Sequence, residues 1–354
     1  MGETDLARRL RRRIAATGPL SLAEWMGECL AAYYAPGRAI GAAGDFVTAP
    51  EVSQMFGELI GAWAQAVWVQ LGAPRPVRLV ELGPGRGTLM ADLLRVTRNV
   101  PWDVHLVETS PGHRALQAGL PATWHDSLDG VPDGPFVLIA NEFLDALPIR
   151  QFQRVAGGWA ERLVDTDGDG FRLVLAATPM ARLIGGRLPE AAMPEGMVPE
   201  GAVLEVCPAA EALAAGLAAR ACRDGGAALL IDYGHGGGYG DTLQAVRRHA
   251  AADPLAAPGL ADLTAHVDFA ALGRAAAAAG AAVHGPVGQG SFLQALGLPL
   301  RAARLKAAAP DQAAAIDAAL HRLADPGQMG TLFKALAIAA PALGPLPGFE
   351  EGTP

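Results

Sequence analysis

Between Val77 and Val96 the chain runs through an apolar stretch, a glycine-rich turn and a second apolar stretch. The turn falls in residues 80–87, V-E-L-G-P-G-R-G. That order predicts a strand, a tight loop and a helix, which gathers backbone N–H groups and the positive end of a helix at one spot. Gly83, Gly85 and Gly87 have the spacing G-x-G-x-G. Glycine is needed where φ is positive or where a ligand must touch the backbone. The dinucleotide fingerprint is G-x-G-x-x-G, and this loop departs from it.

A loop led by Glu81 and closed early fits an S-adenosylmethionine (SAM) site better than an NAD site. A tight turn with no ligand is the plainer alternative. A second residue favours the cofactor. Residues 103–108 read D-V-H-L-V-E, a predicted strand ending in Glu108, which follows Gly87 by 21 positions. In doubly wound folds an acid at the end of the second strand accepts hydrogen bonds from ribose hydroxyls.

The alternation around this loop points to an α/β, doubly wound sheet. Residues 77–82, 104–108, 136–140 and 227–232 are apolar without alternation, as expected of parallel strands buried on both faces. Residues 281–287 and 332–338 read as further strands, the last pairing antiparallel at the sheet edge. Ahead of the sheet, Leu6, Leu10 and Ile14 recur at helical spacing beneath a basic face, and Ser21-x-x-Glu24 is a capping box for a second helix. Residues 37–44 read as a loop. A third helix is expected from Pro50, with Thr48 as N-cap and an apolar stripe at Val52, Met55, Phe56, Leu59, Trp63 and Val67. That stripe is either core or the interface of a homodimer.

Residues 151–155, 159–165 and 171–175 read as an antiparallel ribbon. The D-G-D-G run at 167–170 invites a calcium reading, but the rest of an EF-hand loop is missing, so it is read as a turn. Residues 180–200 read as a surface loop; residues 203–206 and a helix over 209–222 return the chain to the sheet. The expected division is therefore an N-terminal helical segment (1–75) covering the cofactor site, a core (76–150 and 201–354), and an inserted β-ribbon and loop on the substrate side (151–200).

Composition removes several function classes. A net charge of −8 argues against nucleic acid as a partner. No apolar run reaches the roughly 18 residues a membrane span requires, so stable membrane insertion is not expected. The first 14 residues carry five arginines, but Glu3 and Asp5 argue against a transit peptide, and a secretory h-region is missing. Cys29, Cys207 and Cys222 have no metal-type spacing and read as buried thiols in a reducing compartment.

In a doubly wound sheet, three clusters should meet outside the carboxyl ends of the strands. They are N-E-F-L-D at 141–145, I-D-Y-G-H at 231–235, and Asp126 in W-H-D-S. Asp126 is a candidate acceptor for an adenine amino group, and Asn141 a neighbour of the cofactor's methionine portion. Glu142 and Asp145 are candidates to face the substrate. Each carboxylate has a plainer reading as a helix or turn cap. His105, inside a strand, reads as a core histidine. Methyl transfer needs alignment and exclusion of water more than acid–base help. A guanidinium acceptor would need carboxylates to hold it.

Five ordered motifs resemble one family, the MidA-type methyltransferases, which comprise mitochondrial complex I assembly-factor methyltransferases and bacterial relatives. They are G-D-F-V-T-A-P-E-V-S-Q-M-F-G-E (44–58), E-L-G-P-G-R-G-T-L-M (81–90), N-E-F-L-D-A-L-P (141–148), I-D-Y-G-H (231–235) and A-D-L-T-A-H-V-D-F (261–269). The resemblance spans about residues 33–338. It implies a seven-stranded, class I SAM methyltransferase fold that methylates arginine in a protein. The implied acceptor is a subunit of NADH:quinone oxidoreductase (complex I), the product symmetric dimethylarginine, and the result support of complex assembly. It implies that Gly83, Pro84, Gly85, Gly87 and Glu108 hold SAM, with Thr48 and Glu51 in the segment that closes over it. Ala49 departs from the serine the family often has. The compartment would be the bacterial cytoplasm, or the mitochondrial matrix in eukaryotic relatives. The alternatives are a SAM-binding assembly factor without turnover and a small-molecule methyltransferase.

Overall fold

The computed structural model describes residues 4–34, 48–156, 158–168, 170–177 and 198–350. The chain divides into two compact units. One comprises Val47–Leu144, Glu211–His235 and Phe269–Pro354; the other comprises Met1–Phe46, Asp145–Ala210 and Gly236–Asp268.

The first unit is built on a sheet whose main path runs Ala282–Gly288, Phe333–Ala339, Gly226–His235, Phe136–Asn141, Val77–Leu82, Trp102–Val107, Thr123–His125. From Gly226–His235 to Thr123–His125 all pairings are parallel. Phe333–Ala339 alone runs antiparallel to both its neighbours. This main path is the expected doubly wound order of seven strands. The last strand differs from expectation in one respect: it lies inside the edge, because Ala282–Gly288 covers it.

The apolar runs form these strands because both faces are covered. All six residues of Phe136–Asn141 are buried. Leu79, Val137, Ile139 and Leu229 share one core with Met55, Phe56, Ile60 and Trp63 of the Gln54–Gln70 helix. The stripe on that helix is therefore core. The same helix lies close against Thr88–Val96: a Cβ at Gly61 would sit 2.8 Å from Val96 Cγ2. The expected helix from Pro50 is broken, however. Ala49–Val52 makes one turn, and Ser53 is extended at φ −165°. The Ser53 hydroxyl then accepts from Met55 N at 3.2 Å and caps the long helix. A serine's ability to cap outweighs its weak helix propensity.

The order of the strands reverses direction between Val77–Leu82 and Phe136–Asn141. The chain leaves the first toward Thr123–His125 and returns to start the second on its other side. Ligands of open α/β sheets bind outside the carboxyl ends at such a switch point.

In the second unit, Asp5–Thr17 and Leu22–Tyr33 bury Leu6, Leu10, Ile14, Leu22, Trp25 and Met26 against Val164, Ala245 and Leu263. Both capping expectations for the second helix hold, with the Ser21–Glu24 box formed in both directions. The ribbon is Arg150–Val155, Gly158–Asp167 and Gly170–Leu175, paired antiparallel. Its second turn closes between Asp167 and Gly170, which pair directly. Val203–Val206 does not rejoin the parallel sheet; it pairs antiparallel with Arg150–Val155, and only the Pro208–Asp224 helix leads back. Three short strands, Ala250–Ala252, Gln244–Arg247 and Asp262–Thr264, form a further small sheet that periodicity did not reveal. The division thus differs from the expected one. Residues 48–75 belong with the parallel sheet, and residues 236–268 with the ribbon. The loops expected over 37–44 and 180–197 lie outside the described residues.

Candidate functional site

The site of the first unit is assembled at the carboxyl edge of the parallel sheet. Gly83, Gly85 and Gly87 all have positive φ, at 61°, 53° and 79°. Gly83 N donates to Val107 O at 3.0 Å, and Gly87 N to Pro84 O at 2.7 Å. Gly87 is the left-handed N-cap of Thr88–Val96, so the helix N-terminus opens directly from the loop. The three glycines serve different ends. A Cβ at Gly83 would meet Phe143 at 2.7 Å, and one at Gly87 would meet Leu120 at 2.9 Å. At Gly85 nothing among the described residues lies within 4 Å of an added Cβ, which leaves bare backbone there. The loop is steadied from behind: Gln117 Nε2 donates to Gly85 O at 2.8 Å, and Trp124 Nε1 donates to Gln117 Oε1 at 2.8 Å.

Glu81 is buried at the end of its strand, and its Oε2 has no hydrogen-bond partner among the described residues. Burial pushes its carboxyl up to about 8, because desolvation disfavours the charged form. Glu108 is also buried. Its Oε1 accepts from Ser110 N at 2.7 Å, and its Oε2 lies 3.2 Å from His113 Nδ1. A carboxylate oxygen has two acceptor positions, so both oxygens retain capacity for hydroxyl donors. Asp126 stands one residue beyond Thr123–His125, with its side chain 87% exposed and paired to Arg114 at 2.7 Å. His105 is buried, as expected of a core histidine, with Nδ1 2.9 Å from His125 Nε2.

Across the switch point the turn at 141–144 is built from side chains. Glu142 occupies the left-handed region at φ 51°, which strains a residue with a Cβ. Its N–H donates to Ile231 O at 2.9 Å. Its Oε1 accepts from Ala49 N at 2.9 Å and from Asn141 Nδ2 at 3.2 Å. Asp232, fully buried, accepts from Leu144 N and from Tyr233 N, each at 2.9 Å. Asn141 Oδ1 is buried with no partner among the described residues. The Thr48 side chain makes no capping bond. Glu51 reaches Arg86 of the glycine loop at 3.3 Å. The segment at 48–52 is therefore linked to both turns, through Ala49 and through Glu51. The rest of the sequence motif around it, residues 44–47, lies outside the described residues.

Asp145 belongs to the other unit. It is buried there, and its carbonyl accepts from Ala265 N at 3.0 Å. Among the described residues no group of His, Cys, Asp and Glu is suited to a metal ion. Sequence reasoning passed over Gln117, Phe143 and Arg86. Only Arg86 carried a signal, as the one charge between Gly83 and Gly87.

An adenosyl amino acid fits this edge on two observations. Among the described residues the backbone at Gly85 is uncovered, and Asn141 Oδ1 is a buried acceptor without a donor. Comparison with known proteins agrees on the cofactor. The model of a family described as S-adenosyl-L-methionine-dependent methyltransferase matches residues 59–287. The mitochondrial homologue of protein arginine methyltransferase NDUFAF7 from Drosophila melanogaster is 40% identical over 384 residues, covering 95% of this chain and 85% of its own length. Protein arginine methyltransferase NDUFAF7 of Danio rerio is 38% identical, covering 93% of this chain and 86% of its own. A crystal structure from Burkholderia thailandensis, bound to S-adenosyl-homocysteine, superposes with a TM-score of 0.81 at 29% identity, covering 98% of this chain and 95% of that one.

Proposed function

From the premise that this chain belongs to the S-adenosyl-L-methionine-dependent methyltransferases, we propose that it methylates arginine side chains of a protein. The proposed acceptor is a subunit of the respiratory NADH:quinone oxidoreductase, and the methylation supports assembly of that complex. In a bacterial host the compartment is the cytoplasm. The observation that carries the reading is the likeness to the Drosophila arginine methyltransferase, which runs through 95% of the chain at 40% identity.

The bound cofactor supplies a methyl group already activated by its sulfonium. The residues present supply placement. The loop at 83–87, with Pro84 and the N-terminus of Thr88–Val96, presents N–H groups and positive potential to a carboxylate. Glu108 offers acceptors to ribose hydroxyls. Asp126 is proposed for the adenine amino group through the oxygen that Arg114 does not engage. Asn141 Oδ1 offers an acceptor to the amino-acid end of the cofactor. Thr48 and Glu51 lie in the segment tied to both turns. Glu142 and Asp145 are each proposed as a carboxylate for a guanidinium, which carboxylates bind in fixed orientation.

The test is mass spectrometry of acceptor protein incubated with the full chain and isotopically labelled SAM. Label on arginine nitrogen is expected. Label on lysine, on a small molecule, or on nothing despite saturable SAM binding would overturn the reading.

A further inference from the structure

The amino-terminal edge of the parallel sheet, at the far end of the strands from the glycine loop, holds a cluster of guanidinium groups that methyl transfer does not use. Arg78 is the second residue of Val77–Leu82, roughly 16 Å of extended chain before Gly83. Beside it the 131–135 loop enters Phe136–Asn141, and Arg78 N donates to Pro135 O at 2.9 Å. The Pro208–Asp224 helix brings Arg220, Arg223 and Asp224 to the same loop. Arg78, the loop and residues 220–224 all belong to the first unit.

Two of the arginines meet at Phe136. Arg78 and Phe136 are register partners on neighbouring parallel strands, so their side chains leave one face of the sheet. The Arg220 guanidinium lies over the Phe136 ring, 5.3 Å from its centroid. Arg220 also donates to the carbonyls of Val131, at 3.4 Å, and Pro132. A Cβ at Gly134 would stand 2.5 Å from Arg78 Nη1, so the loop closes on that guanidinium too.

The nearby carboxylates are engaged by the third arginine. Arg223 pairs with Asp224 at 2.8 Å and with Asp133 at 2.9 Å. Asp224 Oδ2 is 3.7 Å from Arg220 Nε, too far for a hydrogen bond. The Arg78 guanidinium makes no ion pair or hydrogen bond among the described residues. Its Nε and that of Arg220 are both buried without an acceptor. Buried charges are ordinarily paired, and a buried donor without a partner points to an ion or ligand that supplies one. Burial lowers the Arg220 pKa, Asp224 and Asp133 oppose that shift, and Arg223 and Arg78 add to it. Arg78 and Arg220 therefore repel each other, and an anion beside both offsets that repulsion.

We infer that Arg78 and Arg220, with the 131–134 loop, form an oxyanion site for a phosphate group, carried by free phosphate or by a small phosphate monoester. A guanidinium fork pairs bidentately with phosphate oxygens. A phosphate dianion balances two cations and has oxygens for each. A carboxylate carries one charge and leaves one of the cations uncompensated.

The test is calorimetric titration of the full chain with inorganic phosphate, methyl phosphate and acetate, sodium chloride holding the ionic strength constant. Phosphate should saturate one site, and acetate should not. Arg78→Gln should weaken phosphate binding about tenfold or more and leave SAM affinity within about twofold, because the two sites are far apart. Methyl phosphate bound as tightly as inorganic phosphate assigns the site to monoesters, and weaker binding assigns it to the free ion; either result supports the site. Absence of saturable phosphate binding, acetate bound as tightly as phosphate, or an Arg78→Gln protein that titrates like the wild type overturns it. Should Arg78→Gln fail to fold, Arg78→Lys carries the same comparison through loss of the planar fork, with about threefold weakening or more expected.

Discussion

Two turns leave neighbouring strands at the same edge of the sheet with nearly the same backbone twist, yet they are built on opposite plans. Gly85 stands at φ 53° and Glu142 at φ 51°. The first turn reaches that conformation by having no side chain, which leaves its amides bare. The second imposes it on a glutamate and offsets the strain with bonds to Ile231, Ala49 and Asp232. One plan makes room for a ligand's backbone contacts. The other fixes where side chains stand beside it. A left-handed residue thus shapes both turns, and only the glycine form is visible in a motif.

The sharpest way to break this comparison is to remove the brace of the second turn. Asp232→Ala leaves the N–H groups of Leu144 and Tyr233 without their acceptor. Each lost partner costs about 1–3 kcal/mol, so urea denaturation should show a loss of roughly 3 kcal/mol. A loss below about 1 kcal/mol would mean that the turn holds itself.

The first turn should fail in function rather than in folding. Gly85→Val meets no atom of the described residues, so the protein should remain folded despite the strained φ. Its side chain fills the bare backbone, and SAM affinity by calorimetry should fall at least about 100-fold, or about 2.7 kcal/mol. Normal SAM binding by this variant would remove the loop from the site.

Glu81, beneath the first turn, supplies a pH test. Its carboxyl is raised from 4.5 to about 8. Between those values the folded state binds a proton that the unfolded state has lost, so stability falls as pH rises across that window. Glu81→Gln should match the wild type near pH 5 and exceed it near pH 8.5, by an amount on the order of 1–3 kcal/mol. Equal unfolding midpoints at both pH values would show Glu81 to be solvated.

The smallest effect on stability is expected from giving the second turn the chemistry of the first. Glu142→Gly relieves strain of about 1 kcal/mol and loses the bonds from Ala49 N and Asn141 Nδ2, whose net contribution is on the order of 1–2 kcal/mol. The melting temperature should barely move, while methyl transfer falls about tenfold, or about 1.4 kcal/mol. A Glu142→Gly enzyme with full turnover would reduce Glu142 to a tether for the 48–52 segment.

The contrast also accounts for what was legible in the sequence. The parallel strands were readable because burial on both faces removes polar residues from whole runs, as in Phe136–Asn141. The glycine loop was readable because φ and residue type are tied there. The break at Ser53 was not, since Val52 and Met55 continue a helical stripe across it. The partner of Val203–Val206 was hidden because pairing depends on residues about fifty positions away. The short strands at Gln244–Arg247 and Asp262–Thr264 have three or four residues, too few for alternation to register. The roles of Gln117 and Phe143 arise only when distant segments meet the loop.

The antiparallel strand Phe333–Ala339 carries a consequence for the order in which the protein is made. It lies between Gly226–His235 and Ala282–Gly288, yet of the three it is translated last. Until it emerges from the ribosome, both of those strands expose an unpaired edge, the kind of surface on which chains stick to one another. The half of the sheet that carries the glycine loop is complete by Asn141 and can assemble far earlier. Truncations or slow translation near residue 333 should therefore release chains whose ligand edge is already formed but whose far side is an open, adhesive ladder.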